Sequence, residues 1–132
     1  MIRVYVSHSI RGPAGANASP KQMQFNCDRI QLLVKKLREI YPGVDFYLPA
    51  EHEDFVQRAY NAGFLVEKEI LAVDCGIVEN CDLVIIFLPP GDCTLQGGRL
   101  VEYQHAVKCN IPVIKFGRLN ELTLMLDRFL GI

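Results

Sequence analysis

The chain reads as an α/β sandwich, a central parallel sheet covered by helices on both faces. Three observations predict it. Segments of period two alternate with segments of period three to four, in the order β-α-β-α-β-α-β-α. The most apolar stretch, residues 82–88, is a continuous run, which suits a strand covered on both faces. The 132 residues, half of them apolar, are enough for one domain, 1-132, with a real core. No repeat, linker or low-complexity stretch interrupts it.

Each element has its own reason. Residues 2–7, Ile-Arg-Val-Tyr-Val-Ser, are β-branched and aromatic, and form the first strand. A loop over residues 8–19 follows, with Pro13 and Pro20 flanking small residues. Ser19 caps a helix that carries Pro20 at its first position. Ile30, Leu33, Val34 and Leu37 recur at three and four along that helix, and Tyr41-Pro42-Gly43 ends it. Residues 44–48 form the second strand, closed by Pro49. Residues 51–62 hold a short helix and a turn. Residues 64–79 carry Leu65, Ile70, Val73 and Ile77 on a helical period. The third strand is 82–88, and a loop runs from 89 to 96. A helix over 98–109, a strand over 111–116 and a last helix over 121–130 complete the pattern.

Charge narrows the function classes. With 14 basic and 15 acidic side chains the net charge is -1, which leaves no footprint for bulk nucleic acid or a membrane surface. A small charged ligand needs only one or two arginines. The longest apolar run, 83–90, is too short to span a bilayer, and no signal peptide precedes the first strand. The five cysteines, Cys27, Cys75, Cys81, Cys93 and Cys109, form no CxxC pair, so they read as reduced thiols that mostly pack, with Cys93 the most exposed. A cytoplasmic protein is expected.

Ligands of parallel sheets bind beyond the carboxyl ends of the strands. The loops after strands one, two and three therefore carry the candidate residues. Ser9-Ile10-Arg11-Gly12 offers a hydroxyl, a guanidinium and a glycine backbone, a set that holds a phosphate. Gln96-Gly97-Gly98 leads into a helix whose N-terminus favours an anion. Glu102 lies one turn into that helix and projects toward the strand ends. Asp74 is a candidate second carboxylate, able to position a sugar hydroxyl or protonate a leaving base. Tyr5 can reach Glu102 from strand one. Ser7, His8 and His52 sit at the same edge, and Asp92 is a ligand contact or a turn residue. Asp82 orders the start of strand three at the opposite end. His105 lies on a packed or exposed face. His8 and His52 lack metal-ligand spacing, and no metal or cofactor is expected.

These fragments together resemble a known family. Tyr5-Val6-Ser7-His8-Ser9-Ile10-Arg11-Gly12 resembles the first-strand motif of the 2-deoxynucleoside 5-phosphate N-hydrolases, of the nucleoside 2-deoxyribosyltransferase superfamily. Glu51-His52 resembles the pair after their second strand. Asp74, eight positions before Asp82, resembles their helix aspartate. Gly98-Arg99-Leu100-Val101-Glu102 is similar to their Gly-x-x-x-Glu. The similarity covers roughly residues 2–116. His8 stands where the family has glycine, Gln96 where it has serine, and the loop before Glu102 is longer.

The resemblance implies a flavodoxin/Rossmann-like three-layer sandwich and cleavage of an N-glycosidic bond in a nucleoside 5-monophosphate. It implies Glu102 as nucleophile, Asp74 assisting base or sugar, and Tyr5 orienting Glu102. Ser9, Ile10, Arg11, Gly12 and Gly98 would line the 5-phosphate site, and family members are commonly homodimers or larger. Three other readings stay open. One is base exchange by a nucleoside deoxyribosyltransferase. Another is a TIR-like NAD glycohydrolase, which Val4-Tyr5-Val6-Ser7-His8-Ser9 also resembles. The third is a module that binds a nucleotide without turnover.

Overall fold

The fold was analysed in a computed structural model that describes residues 1–132. Four strands, β1 (Ile2–Ser7), β2 (Val44–Tyr47), β3 (Leu83–Phe87) and β4 (Val113–Phe116), form one sheet in the order β2-β1-β3-β4. All three pairings are parallel. Five helices connect and cover them: α1 (Pro20–Ile40), α2 (Glu53–Asn61), α3 (Glu67–Val78), α4 (Gly97–Lys108) and α5 (Leu119–Leu130). Two 3-10 turns, Gly12–Asn17 and Pro49–His52, follow the first two strands. The expected three-layer α/β sandwich is what the chain forms. No helix is long and apolar enough to cross a membrane.

Side-chain parity divides the core in two. Val4, Val6, Leu83, Ile85 and Phe87 face α1 and α5, where a cluster of 15 buried residues includes Ile30, Val34, Leu37, Leu122 and Leu126. Tyr5, Val84 and Ile86 face α3 and α4, where the buried cluster has 6 members, Val78, Cys81 and Ala106 completing it. One side of the sheet is thickly packed and the other is thin.

Local chemistry sets the element ends. Ser19 Oγ accepts from Gln22 N at 3.1 Å and Gln22 Oε1 accepts from Ser19 N at 2.8 Å, a reciprocal capping box ahead of Pro20. The Tyr41 hydroxyl donates to Asp127 Oδ1 at 2.6 Å, tying the end of α1 to α5. Asp82 orders the strand starts as expected: Arg3 N donates to its Oδ2 at 2.8 Å, and its own N–H donates to Arg3 O at 2.8 Å.

Several boundaries move inward from the sequence expectation, and three of them show why. Gly63 takes φ +79 after α2, and α3 begins only at Glu67, with Glu69 Oε1 accepting from Val66 N at 3.1 Å. Strand β4 starts at Val113 because Pro112 has no N–H to donate, although its carbonyl still accepts from Val84 N. Strand β2 stops at Tyr47, before Leu48 and the Pro49 turn.

The topology locates the site. From β1 the chain passes to β2 on one side and then crosses to β3 on the other. The carboxyl ends of β1 and β3 are therefore the switch point of the sheet, the position outside the strands at which sheets of this kind bind ligands.

Candidate active site

Tyr5 and Ser7 are two positions apart on β1, so both side chains leave the sheet on the α3–α4 face. Glu102 comes down onto the same face from α4 and is 5% exposed. Ser7 Oγ donates to Glu102 Oε1 at 2.8 Å, and the Tyr5 hydroxyl donates to Glu102 Oε2. Both carboxylate oxygens are thus held by hydroxyl donors from a single strand.

Burial decides the electrostatics. It pushes Glu102 up to about 7, against the pull of the two donated hydrogen bonds, and the negative charge of Asp74 adds to the rise. Asp74, on α3, is pushed up to about 6 by burial and by Glu53, with His52 opposing. The Tyr5 phenol is driven far up by burial and then by the charge of Glu102, so it stays a donor. Even with two donated hydrogen bonds Glu102 stays above Asp74, so as pH falls it takes the first proton, and Asp74 takes one mainly below about 6.

An aromatic stack extends from this centre to the ligand edge. The rings of Tyr5 and Tyr47 lie 5.7 Å apart at 23°, and those of Tyr47 and His52 lie 5.4 Å apart at 22°. His52 is thereby placed as the outer plate of a stack whose inner plate touches Glu102. Tyr47 was not among the residues singled out from sequence. Its place against Tyr5 comes from the parallel register of β1 and β2, which its own segment does not specify.

The loop after β1 is braced from within. Gly12 N donates to Ser9 Oγ at 2.9 Å, and Asn26 Nδ2 of α1 donates to the Ile10 carbonyl at 2.8 Å. Gly12 takes φ +67, and a Cβ there would meet Asn26 Nδ2 at 3.1 Å, so the turn needs glycine. Arg11 stays exposed at the rim, where its positive charge acts on Glu53. A groove of about 360 Å³ adjoins it, lined by Arg11, Ser19, Lys21, Gln22, Phe25 and Asn26. Both ring nitrogens of His8 are shielded from solvent and have no hydrogen-bond partner in the chain. Burial and the positive charge of Arg99 lower His8 to about 4, so its ring is neutral near pH 7.

The loop before α4 is organised by a residue the sequence reading passed over. Arg99 is 2% exposed. Its Nη1 donates to the Phe87 carbonyl at 3.0 Å and its Nη2 to Asp92 Oδ1 at 2.8 Å. Asp92, expected as a ligand contact or a turn residue, has its Oδ1 engaged by Arg99 and acts as the loop's internal anchor. Gly97 takes φ +58, and Gly98 lies against Leu71, where a Cβ would approach to 3.4 Å. Gln96 occupies the cap position without capping, so no side chain covers the first amides of α4.

Tyr5, Ser7, Asp74 and Glu102 form one centre, with His52 stacked through Tyr47. Ser9, Ile10, Arg11 and Gly12 form a second group on the neighbouring loop. His105 turns away to Glu79. No protein-family model, curated protein or solved structure matches the chain.

Proposed function

We propose that the chain is an N-glycosidase that hydrolyses the base–sugar bond of a nucleoside 5-monophosphate, with Glu102 as nucleophile. The observation that carries this reading is the clamp on Glu102, a buried carboxylate held through both oxygens at the switch point of a parallel sheet. Such a carboxylate is preorganised to attack a carbon that develops positive charge.

The steps follow from the groups present. Glu102 attacks the anomeric carbon, and the bonding pair of the C–N bond leaves with the base. The reactive form has Glu102 ionised and the proton on Asp74, the less populated of the two arrangements, and from it Asp74 delivers that proton to the departing base. Water then attacks the anomeric carbon of the glycosyl ester, Asp74 takes its proton, and Glu102 is released. The Tyr47–His52 plates offer a stacking surface for a base. Arg11, the glycine-supported loop and the uncapped amides of α4 supply donors for a phosphate.

Self-association belongs to the same reading. Phe55, Tyr60, Phe64, Val73 and Val101 are exposed on α2, α3, α4 and the turn after α2, an apolar surface beside the site that a second copy would cover. A cytoplasmic setting fits the free thiols.

Incubation with a panel of nucleoside monophosphates, nucleosides and NAD, read by mass spectrometry for free base, tests the proposal. Base release from a monophosphate, lost in Glu102→Gln, is the expected result. Nicotinamide release from NAD alone, or tight binding without turnover, would replace it with another reading.

A further inference from the structure

The lower halves of α3 and α4 carry a group that the reaction above does not use. Glu79 follows the last turn of α3. His105 and Cys109 are separated by four positions at the end of α4, so they share one helix face. His105 Nε2 lies 2.7 Å from Glu79 Oε1 and 3.7 Å from Cys109 Sγ, and all three donor atoms fall within 4.8 Å of one another. The group lies away from Glu102, toward the amino ends of the strands.

We infer that Glu79, His105 and Cys109 form a three-ligand site for a zinc-type divalent cation. A tetrahedral ion with Zn–N near 2.0 Å and Zn–S near 2.3 Å sets its nitrogen and sulfur ligands about 3.5 Å apart. The separation of 3.7 Å already present between His105 and Cys109 matches that edge. Glu79 Oε1 must withdraw by less than 1 Å, about, to reach the same spacing. Its side chain is 54% exposed and free to turn. The set combines nitrogen, sulfur and oxygen donors, which suits zinc or cobalt and not magnesium or calcium. Cys109 is exposed, so the fourth position is left to water. On binding, the Cys109 thiol loses its proton to solvent and His105 presents neutral Nε2 in place of its contact with Glu79.

Geometry sets the ligand choice: Cys75 lies one turn before Glu79 but is not one of the donor atoms that fall within 4.8 Å of one another. The ion would clip the end of α3 to the end of α4. These are the helices that carry Asp74 and Glu102, so the site would brace the reaction centre from below without touching it.

Titration of the metal-free full chain with Co²⁺ tests the inference. One equivalent should produce a sulfur-to-cobalt charge-transfer band that Zn²⁺ abolishes by displacement. Cys109→Ser should lose the band, His105→Ala should weaken binding by about tenfold or more, and Cys75→Ser and Cys93→Ser should retain it. Zn²⁺ should raise the melting temperature of the parent chain and leave that of His105→Ala unchanged. No band at one equivalent, or a band that persists in Cys109→Ser, would overturn the site. Neither outcome bears on base release, which is assayed separately.

Discussion

Ser7 and Glu102, 95 positions apart in sequence, meet through a 2.8 Å hydrogen bond in which the strand hydroxyl donates to the helix carboxylate. With Tyr5 on the other oxygen, one strand fixes both the position and the rotation of the carboxylate. The arrangement leaves little reorganisation for a reaction step to require.

Removing one of these donors should show in the pH profile. A hydrogen bond to a charged group contributes roughly 1.5–3 kcal/mol, equivalent to about one to two pKa units. In Tyr5→Phe the anion of Glu102 loses that support, so its pKa rises. The acid limb of kcat for base release should move to higher pH, with kcat reduced and KM little changed. A profile that superimposes on the parent's would remove Tyr5 from the orienting role.

Burial of Glu102 also predicts a stability cost above its unfolded pKa. The folded value is raised from 4.5 to about 7, so the folded state retains a proton that the unfolded state releases between those pH values. Stability is therefore intact below about 4.5 and declines as pH rises through 7, by roughly 3 kcal/mol at most. Glu102→Gln should melt higher than the parent at pH 8, and the gap should shrink at pH 5. Equal melting at both pH values would contradict the raised pKa.

Arg99 should be far less tolerant of change than its neighbours on the same helix. Truncation to Ala leaves Asp92 buried without its partner and the Phe87 carbonyl without a donor, at a cost of about 3–5 kcal/mol. Arg99→Lys should recover only part of this, because an ammonium cannot reproduce the guanidinium fork. Chemical denaturation measures both, and a loss under about 1 kcal/mol for Arg99→Ala would refute the anchoring role.

If Arg11 holds the phosphate of the proposed substrate, Arg11→Ala separates phosphate binding from chemistry. The exposed guanidinium should matter for nucleoside monophosphates and not for nucleosides, so kcat/KM should fall about tenfold or more for the first alone. An equal loss for both substrates would place Arg11 elsewhere.

Much of this was readable because the sequence obeys simple periods. The continuous apolar run of β3, the capping box at Ser19 and the glycine pair before α4 each declare their element. Glu102, Asp74 and Tyr5 are recognisable by their place at the strand ends. The pairing of Ser7 with Tyr5 was there to be read in the two-residue repeat, yet a strand serine gives no hint of its partner until α4 is placed above it. Arg99 was opaque for the opposite reason. An arginine beside glycines on a polar-looking helix suggests solvent, and only the folded loop supplies the carbonyls and the carboxylate that bury it. Tyr47 depended on parallel register, which no local pattern specifies.

The unequal packing of the two sheet faces gives the molecule a built-in direction of opening. Fifteen buried residues hold α1 and α5 in place, whereas six hold α3 and α4. Amide protons of α3 and α4 should exchange with solvent sooner than those of α1, through excursions that leave the sheet intact. On the proposed reading, a ligand bound for the nearly sealed carboxylate of Glu102 would enter past helices that lift while the strand holding Tyr5 and Ser7 stays put.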